Sequence, residues 1–406
     1  KLLLNQVFSS EDQRSGYQTG LGFDWDLNKY NGISGSVGYQ NFGHISTTVT
    51  NQGQQTKSAN STILSDIENS INYDHNFHFH NVDASLNYKK TFKKEDQELD
   101  LSVNTSLGDR SIRNNNYQYL LPQDSLFYST KGKNPGTEKE TEIRADYTQP
   151  LKKNILLGIG SKLGFYDISS NSQVLKLNGS DNYIPDNYLS DNLTYHQKVY
   201  AFYSELTFPV FKLFDAKIGE RYERTEINSY YSNAQQQQQV PGYNTFVPSI
   251  FFSKKTSGNS QIKLSYTKRI ERPGYRDLNP FINTSDPKNL STGNIHLSPE
   301  IGKRYELGYN IDVDKIGSFM VNLFYRINDR DIQDYIVYYP SYQVGDTAYQ
   351  DVAVSTRQNI GRENNIGLNL FAAAKFFSKL DLRMNAFFYE RHTINTIDKG
   401  YNYNSF

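Results

Sequence analysis

Segments that alternate apolar with polar side chains recur along the whole chain, and short turns alternate with long polar stretches between them. Successive side chains of a β-strand point to opposite faces, so each segment can form one apolar and one polar face. Tight turns at one end of the strands and long loops at the other are typical of a transmembrane β-barrel. The pattern therefore favours an antiparallel all-β barrel with lipid on one face and water on the other.

The clearest example is the hairpin predicted over residues 302–330, around a turn at 314–316. Its apolar or aromatic positions are Tyr305, Leu307, Tyr309, Ile311, Val313, Phe319, Val321, Leu323, Tyr325 and Ile327. The positions between them in each strand are polar, charged or small, apart from Met320 and Phe324. A spacing of two residues over this length predicts strands rather than helices.

Applied to the whole chain, this criterion predicts about 14 strands in seven hairpins. The paired spans are 16–27 with 31–42, 78–92 with 97–110, 139–151 with 155–170, 193–209 with 216–230, 243–254 with 261–272, 302–313 with 317–330, and 355–377 with 380–394. Short turns are predicted near 28–30, 93–96, 152–154, 212–215, 255–260, 314–316 and 378–379. Long loops are predicted near 43–70, 111–138, 171–192, 231–242, 273–301 and 331–352, and the loop at 231–242 includes the glutamine run Gln235–Gln239.

A soluble β-sandwich or propeller is the main alternative, because its strands also alternate. Strands in soluble proteins average about 5–6 residues, whereas those predicted here have about ten or more. A tilted strand needs about 9–11 residues to cross a bilayer. The polar face also carries charges, such as Lys263, Arg269 and Glu306. These features favour a water-filled lumen over a packed soluble core.

The composition narrows the functional classes. Lys plus Arg and Asp plus Glu number 43 each, so the net charge is zero. This argues against nucleic acid as a partner, since nucleic-acid-binding proteins carry a basic excess. The 32 tyrosines suit a membrane–water interface, because the ring is apolar and the hydroxyl is polar. The chain has no cysteine, which excludes disulfides, thiolate nucleophiles and cysteine-ligated zinc.

The hydropathy of the chain gives no sign of a membrane helix or a leader. No apolar run approaches the length of about 18 residues that a transmembrane helix needs. The stretch Lys1–Asn5 has too short an apolar core for a signal peptide. An outer-membrane protein requires such a leader, so we expect the chain to begin inside a longer precursor.

Two clusters of possible metal ligands occur. His75, His78 and His80 lie close in sequence, and His78 and His80 would share one face of a strand; Asp181, Asp186 and Asp191 lie in an Asn-rich loop. The aspartate spacing does not match an EF-hand. The histidines also suit a polar loop–strand junction, and the change of apolar parity between Phe79 and Val82 predicts a bulge there. We predict no metal site and no cofactor.

Binding and catalytic candidates are few. Tyr338, Tyr339, Tyr342 and Tyr349 fall in a predicted outer loop and are candidates for stacking on a flat ligand, with the outer aromatic girdle as the alternative. Arg269, Glu271 and Arg272 could mark a ligand path, but ion pairs along the lumen wall are the favoured interpretation. The sequence lacks a glycine-rich phosphate loop, HExxH and GxSxG, so we predict that the protein is not an enzyme.

The most specific pattern lies between residues 269 and 309. It consists of Arg269, Arg272, Pro273, Leu278, Asn279, Pro280, Phe281, Gly293, Asn294, Leu297, Pro299 and Glu300. This pattern resembles the outer-membrane β-barrel family of TonB-dependent receptors common in Bacteroidetes. The stretch 219–223, Gly-Glu-Arg-Tyr-Glu, and the stretch 359–361, Asn-Ile-Gly, are similar to further pieces of that family.

The resemblance implies a bacterial outer-membrane receptor that takes up a nutrient solute by TonB-dependent transport. Such receptors have 22 strands around an N-terminal plug. Residues 1–406 would then be one barrel domain, as a fragment without the plug and some strands. The implied partners are outer-membrane lipids, the TonB complex through the missing plug, and a surface lipoprotein.

Two positions depart from the family pattern. Ile295 stands where the family has proline. Glu220 stands where the family has an apolar residue, between Ile218 and Tyr222 on the side predicted to face lipid. A carboxylate at mid-depth is costly, so we expect Glu220 to lie near an interface or to be paired.

Two other functions fit the same strands. A passive 14-stranded channel would need no plug, and a barrel without transport activity could act as a scaffold for partner proteins. The transported substrate stays open among siderophores, glycans, peptides and cobalamin.

Overall fold

The computed structural model describes residues 2–58, 62–152, 154–211, 213–232, 236–238, 242–256, 258–284, 286, 288–313, 316–345, 347–377, 380–398 and 402–405. Fourteen long strands dominate it. They are β1 (Leu2–Asn28), β2 (Asn31–Lys57), β3 (Ile63–Thr91), β4 (Glu98–Leu121), β5 (Ser125–Lys152), β6 (Ile155–Leu177), β8 (Asp191–Val210), β9 (Phe214–Tyr231), β11 (Tyr243–Thr256), β12 (Ser260–Glu271), β14 (Glu300–Val313), β15 (Gly317–Val344), β16 (Thr347–Phe376) and β17 (Leu380–Asn395).

Short elements fill some of the connections. They are β7 (Tyr183–Pro185), β10 (Gln236–Gln238), β13 (Asn289–Ser291), β18 (Tyr403–Ser405) and the single helix turn α1 (Tyr275–Leu278). Within the described ranges, no helix is both long and apolar enough to cross a membrane.

The long strands form one antiparallel series in chain order, so all seven predicted hairpins are confirmed. The predicted short turns are also short in the structure, as at residues 29–30 and 92–97. Positions 153, 212, 257, 314–315 and 378–379 of the other predicted turns lie outside the described residues, as do Gln235 and Gln239 of the glutamine run. Between the described residues of β1 and those of β17 or β18, no pairing occurs.

Most of the predicted long loops are wrong. Residues 43–57 and 63–70 continue β2 and β3, and most of 111–138 and 331–352 continues the strands on either side. Of the predicted loop 171–192, strands take up residues 171–177, 183–185 and 191–192. Beyond the bilayer both faces of a strand are wet, so the alternation disappears while the backbone ladder continues. The loop at 273–301 is confirmed as a long connection with little regular structure.

The strands are therefore much longer than a membrane requires. Strand β16 has 30 residues, whereas about ten suffice to cross a bilayer. Because short turns lie on the periplasmic side of such barrels, we assign the ten or so residues beside each short turn to the membrane. The remainder of each long strand extends beyond the external surface.

The lipid-facing side is recognisable from cross-strand rows. One row joins Phe252, Leu264, Leu307, Leu323, Leu368 and Phe388 across six strands. The side chains of Leu264, Leu307 and Leu323 are about half exposed. The adjacent positions Lys263, Gly308 and Asn322 form a polar or small row on the opposite face. We call this opposite side the inner face.

An aromatic row marks the external limit of the lipid-facing side. The ring centroids of Tyr266 and Tyr305 are 4.9 Å apart, and those of Tyr305 and Tyr325 are 6.3 Å apart. Farther from the short turns on the same face, Asp329 pairs with Lys303 at 2.8 Å and with Arg362 at 2.6 Å. Tyrosine followed by charge is the order expected where hydrocarbon gives way to headgroups.

Candidate functional site

Residues 272–299 connect β12 to β14 and fold back against the inner face; we call them the mouth segment. Most of the motif residues predicted from the sequence lie in this segment or at its two ends. It contains α1 and β13 and otherwise has no regular structure. Contacts with the surrounding strands fix the position of this segment.

One end of the mouth segment is packed by leucines. Leu278 and Leu297 are 0% and 4% exposed. They contact an apolar cluster on the inner face of three neighbouring strands, formed by Ile168, Leu193, Tyr195, Ile227 and Tyr231. These wall residues lie on the polar side of their strands and beyond the membrane portion, so their burial is explained by the segment that covers them.

The other end of the segment extends the sheet. Asn289 and Leu290 of β13 pair in parallel with Ala353 and Val354 of β16. This part of β16 lies beyond the point where β17 ends its pairing, at Gly361. Strand β13 therefore satisfies backbone groups that would otherwise form an open edge. Leu290 is buried there against Val344, Tyr349, Val352 and Val354.

The segment also contacts a distant part of the wall. Tyr275 of α1 accepts a hydrogen bond from Arg110 of β4. The guanidinium of Arg110 lies 5.1 Å from the centre of the Tyr275 ring. Together with the pairing to β16, this contact means that the mouth segment crosses the inner face from β4 to β16. Such a segment can restrict passage at the external end of the lumen.

A buried ion pair fixes the start of the segment. Arg272 forms an ion pair with Glu223 of β9, and its Nε donates to the hydroxyl of Thr225 at 3.1 Å. Arg221 donates to the other oxygen of Glu223 at 2.5 Å. The Glu223 side chain is only 8% exposed. The ion pair along the lumen wall that the sequence favoured is formed by Arg272, but it reaches β9 across the intervening β11. Strand β12 ends before Pro273, as predicted.

Backbone contacts close the segment on itself. The amide of Gly293 donates to the carbonyl of Asn279 at 2.8 Å, and the amide of Asn294 donates to that of Asp277 at 2.6 Å. A Cβ atom on Gly293 would lie 2.5–2.7 Å from backbone atoms of Asn279 and Asp277. This position therefore requires glycine because of close backbone approach.

Side-chain amides then join the segment to β16. Asn294 Nδ2 donates to the carbonyl of Arg357 at 3.0 Å. Asn359 accepts from the amide of Ser298 at 2.8 Å and donates to the carbonyl of the same serine at 2.9 Å. The Arg357 guanidinium lies 3.5 Å from the Asp277 carboxylate. The family pieces seen in the sequence at 219–223 and 359–361 thus supply Glu223 and Asn359 as wall partners of this segment.

A buried carboxylate fixes the end of the segment. Glu300 accepts from the backbone amide of Ile332 at 2.7 Å and from Asn328 Nδ2 at 2.5 Å. Asn328 also donates to Asp331 at 3.1 Å. Burial raises the pKa of the Glu300 carboxyl, and the nearby Asp331 adds to this effect. Burial likewise raises the pKa of Asp331. Asn328 and Asp331 had no distinguishing signal in the sequence.

The other charged candidates are not part of this fastening. Among the described residues, Arg269 and Glu271 form no ion pair. Arg269 comes six residues after Lys263 in β12, so both side chains lie on the inner face. Arg269 pairs with Gly302 of β14. It remains a candidate for the lumen wall.

The four candidate tyrosines do not form one surface. The rings of Tyr339 and Tyr342 are 5.0 Å apart. Tyr349 is 8% exposed and packs in the cluster around Leu290. Tyr338 is 54% exposed, and its hydroxyl donates to Asp351 at 2.8 Å. Burial of Tyr349 means that only part of the set is accessible to a ligand, and a binding role for these residues stays a prediction.

The possible metal ligands are held by other partners. His78 and His80 do share a face, with ring centroids 4.9 Å apart, whereas His75 contacts Asn114. Asp186 accepts from the amides of Tyr188 and Leu189. Within the described part of the chain, no group of three potential ligands could hold a metal ion. The predicted bulge before Val82 is wrong, because β3 pairs with both neighbours in unbroken register there.

Glu220 lies toward the external end of the membrane portion. It is the seventh residue of β9 from the short turn, as Tyr266 of the aromatic row is the seventh residue of β12. Its cross-strand neighbours on the lipid-facing side are Ser204 and Pro248. The side chain is exposed, and among the described residues it forms no ion pair. The position agrees with the interfacial location expected from the sequence, and the side chain is not paired in an ion pair there.

Solved structures share this fold. The copper transporter OprC is 11% identical with a TM-score of 0.56, and the alignment covers 98% of this chain and 62% of that one. The ferric enterobactin receptor PfeA of Pseudomonas aeruginosa is 11% identical with a TM-score of 0.53, covering 96% and 64%. The ferric preacinetobactin receptor BauA of Acinetobacter baumannii is 10% identical with a TM-score of 0.51, covering 97% and 62%. The chain thus spans less than two thirds of each of these proteins.

Comparisons of sequence identify the family of this chain. A search of curated proteins found no match. The model of the outer membrane protein beta-barrel family matches residues 90–406, which is most of the chain and includes the mouth segment. These residues carry the apolar outer rows, the polar inner face and the fastened segment described above. The chain belongs to the outer membrane protein β-barrel family, whose members lie in the bacterial outer membrane.

Proposed function

We propose that this chain forms the wall of a TonB-dependent outer-membrane receptor that takes up a nutrient solute. The observation that supports this most directly is the mouth segment, which crosses the inner face at the external end and is fastened to β4, β9 and β16. A lumen restricted in this way suits selective uptake. The folds it resembles are those of receptors and a transporter, which also fits a protein that is not an enzyme.

The inner face has the charge pattern that a wet lumen requires. Within the membrane portion, Lys162 pairs with Glu142, and Lys217 pairs with Glu205 at 2.6 Å. Arg144 pairs with Asp146 at 2.6 Å. These charges would be costly against hydrocarbon but are stable in water or against a polar plug.

The remaining parts of the proposal follow from the sequence resemblance. A plug domain outside residues 1–406 would fill the lumen and contact TonB, and further strands would complete the barrel. Outer-membrane lipids would surround the wall, and a surface lipoprotein would be a partner at the external end. A Bacteroidetes-type receptor is the form that the motif at 269–300 favours.

A passive 14-stranded channel is less well supported. Such a channel would have to close through pairing of β1 with the last strands, and the described residues of those strands do not pair. It would also leave the lumen open, whereas here the mouth segment crosses it.

Uptake measurements in cells distinguish these functions. A strain without the full-length gene would be compared with wild type for accumulation of labelled siderophores, glycans, peptides and cobalamin, with and without an uncoupler. We expect one class to require both the gene and the proton-motive force. Equal uptake of every class by both strains would contradict transport, and uptake that survives the uncoupler would indicate a passive channel.

A further inference from the structure

A cavity of about 270 Å³ lies between the mouth segment and the inner face of β3 to β6. Its wall side includes Tyr73, Asn114 and Thr130, and its lid side includes Phe281 and Thr284. The volume is close to the lower end of the range for small-molecule sites, about 300–1,000 Å³. The cavity is beyond the membrane portion of the strands, where a solute arriving from outside would first meet the lumen.

The lining combines polar and apolar groups. Amides, hydroxyls and aromatic rings lie beside Ile112, Val174 and Leu189, and the lining has no carboxylate or guanidinium. Lys133 borders the cavity, but strand alternation directs its side chain to the face opposite that of Gly132 and Asn134. A charged ligand would therefore be buried without a counter-charge, which is strongly unfavourable. An apolar ligand would leave the amides unpaired, which is also costly.

Two of the lining amides are held in a fixed orientation. The Oδ1 atom of Asn114 contacts His75 Nδ1 at 2.7 Å. The Oδ1 atom of Asn134 accepts a hydrogen bond from the Ser170 hydroxyl at 2.6 Å. Because the oxygens are engaged by the wall, both side-chain NH₂ groups remain as donors. Donors fixed in advance lower the entropic cost of binding.

One hydroxyl of the lining is buried without a hydrogen-bond partner among the described residues. The Tyr128 hydroxyl is buried near Thr284 and Tyr349, yet it forms no hydrogen bond of ordinary geometry. Burial raises the pKa of this hydroxyl, so it stays protonated. Buried polar groups without partners are rare and call for an explanation.

We infer that this cavity binds one uncharged, hydroxyl-rich ring of the size of a sugar unit. Ring hydroxyls can accept from the amides of Asn114 and Asn134 and pair with the hydroxyls of Thr130 and Tyr128. The faces of Tyr73 and Phe281 supply the apolar surface against which the C–H face of such a ring stacks. The inference rests on the proposed function, since the ring would be part of the solute that is taken up.

Gly132 offers a direct test. A Cβ atom there would lie 3.7 Å from the Asn114 carbonyl and 3.9 Å from Val174, which is ordinary contact, so Gly132→Leu fills the cavity without a backbone clash. Gly53→Leu is the matched control, because an added Cβ at Gly53 meets no atom within 4 Å. Thr130→Val, which removes a hydroxyl at nearly constant volume, is a second variant if the first fails to fold.

The full-length protein in detergent would be titrated with D-glucose, D-galactose and N-acetyl-D-glucosamine, and with glucuronate and glucosamine as charged probes. We expect saturable binding of at least one neutral sugar, weakened roughly tenfold or more by Gly132→Leu and severalfold by Thr130→Val. Gly53→Leu should bind like wild type.

Several results would overturn the inference. These are no saturable binding of a neutral sugar, unchanged affinity in folded Gly132→Leu or Thr130→Val, or charged sugars binding as tightly as neutral ones. Binding in detergent without energy-dependent uptake in cells would contradict the proposed function while leaving the site intact. Uptake of a solute that does not bind this cavity would contradict the site alone.

Discussion

At the scale of single residues, the motif that stands out in the sequence acts chiefly as a set of fasteners. Arg272 anchors the mouth segment to Glu223, and Asn279 and Gly293 join its two halves. Leu278 and Leu297 are its apolar anchors. Glu300, the first residue after the segment, accepts from the backbone amide of Ile332 in β15. The motif therefore specifies the shape of a segment rather than a catalytic constellation.

Gly293→Ala should loosen this segment. The added Cβ would lie within 2.7 Å of backbone atoms of Asn279 and Asp277, and backbone cannot move aside as a flexible side chain can. We expect a loss of about 1–3 kcal/mol in local stability, seen as faster proteolysis within residues 272–299. Gly53→Ala, with no atom near the new Cβ, is the control. Equal cleavage rates in both variants would count against the proposed packing.

Glu220→Gln should have little effect on stability in a bilayer. The carboxylate faces the lipid side at the level of the aromatic row, between Ile218 and Tyr222, where removal of its charge should change the stability by less than about 1 kcal/mol. Equilibrium unfolding from lipid vesicles would measure this. Glu205→Gln on the inner face, where Glu205 pairs with Lys217, should show no gain. A gain of about 2 kcal/mol or more in Glu220→Gln would mean that Glu220 lies deeper in the hydrocarbon.

At the scale of elements, the sequence predicted the membrane portion of each strand but not its external continuation. In the bilayer one face must be apolar, so residues such as Leu307 and Leu323 alternate with polar neighbours. Outside it no such constraint applies, and stretches such as 43–57 resemble loops although they form ladder hydrogen bonds. The ladder persists because each neighbour also continues, which is a property of the sheet and not of one segment.

The sequence also predicted only part of the candidate site. The resemblance identified the mouth segment and, in the stretches 219–223 and 359–361, two of its wall partners. It gave no indication of Asn328, Asp331 or Arg110, because polar residues in long external strands are common and only the folded pairing brings these three against the segment.

The fastening of the mouth segment should depend on pH. The pKa of Glu300 is raised by burial, so the folded state binds its proton more tightly than the unfolded state does. Stability from this group is therefore present at low pH and is lost as pH rises from about 4.3 through the raised pKa.

Glu300→Gln should flatten this dependence in thermal unfolding measured between pH 4.5 and pH 7. Glu11→Gln, at an exposed position of β1, should keep the wild-type slope. An unchanged slope in Glu300→Gln would show that the buried carboxyl does not titrate in this range.

At the scale of the whole molecule, the wall divides into a lipid-facing side and an inner face. Phe252, Leu264, Leu307, Leu323, Leu368 and Phe388 form a continuous row for lipid. The positions between them face an aqueous lumen that the mouth segment crosses. Within the bilayer, every backbone group must be satisfied by the sheet itself, and long antiparallel strands satisfy this condition for all the paired residues.

Single-cysteine labelling tests this division most directly, since the chain has no cysteine of its own. Lys263→Cys, Leu264→Cys, Asn322→Cys and Leu323→Cys would each carry a fluorophore in the full-length protein folded into vesicles. We predict that lipid-borne quenchers reach positions 264 and 323 and that water-soluble quenchers reach 263 and 322. Equal quenching of neighbouring positions by either reagent would contradict a wall with lipid on one face and water on the other.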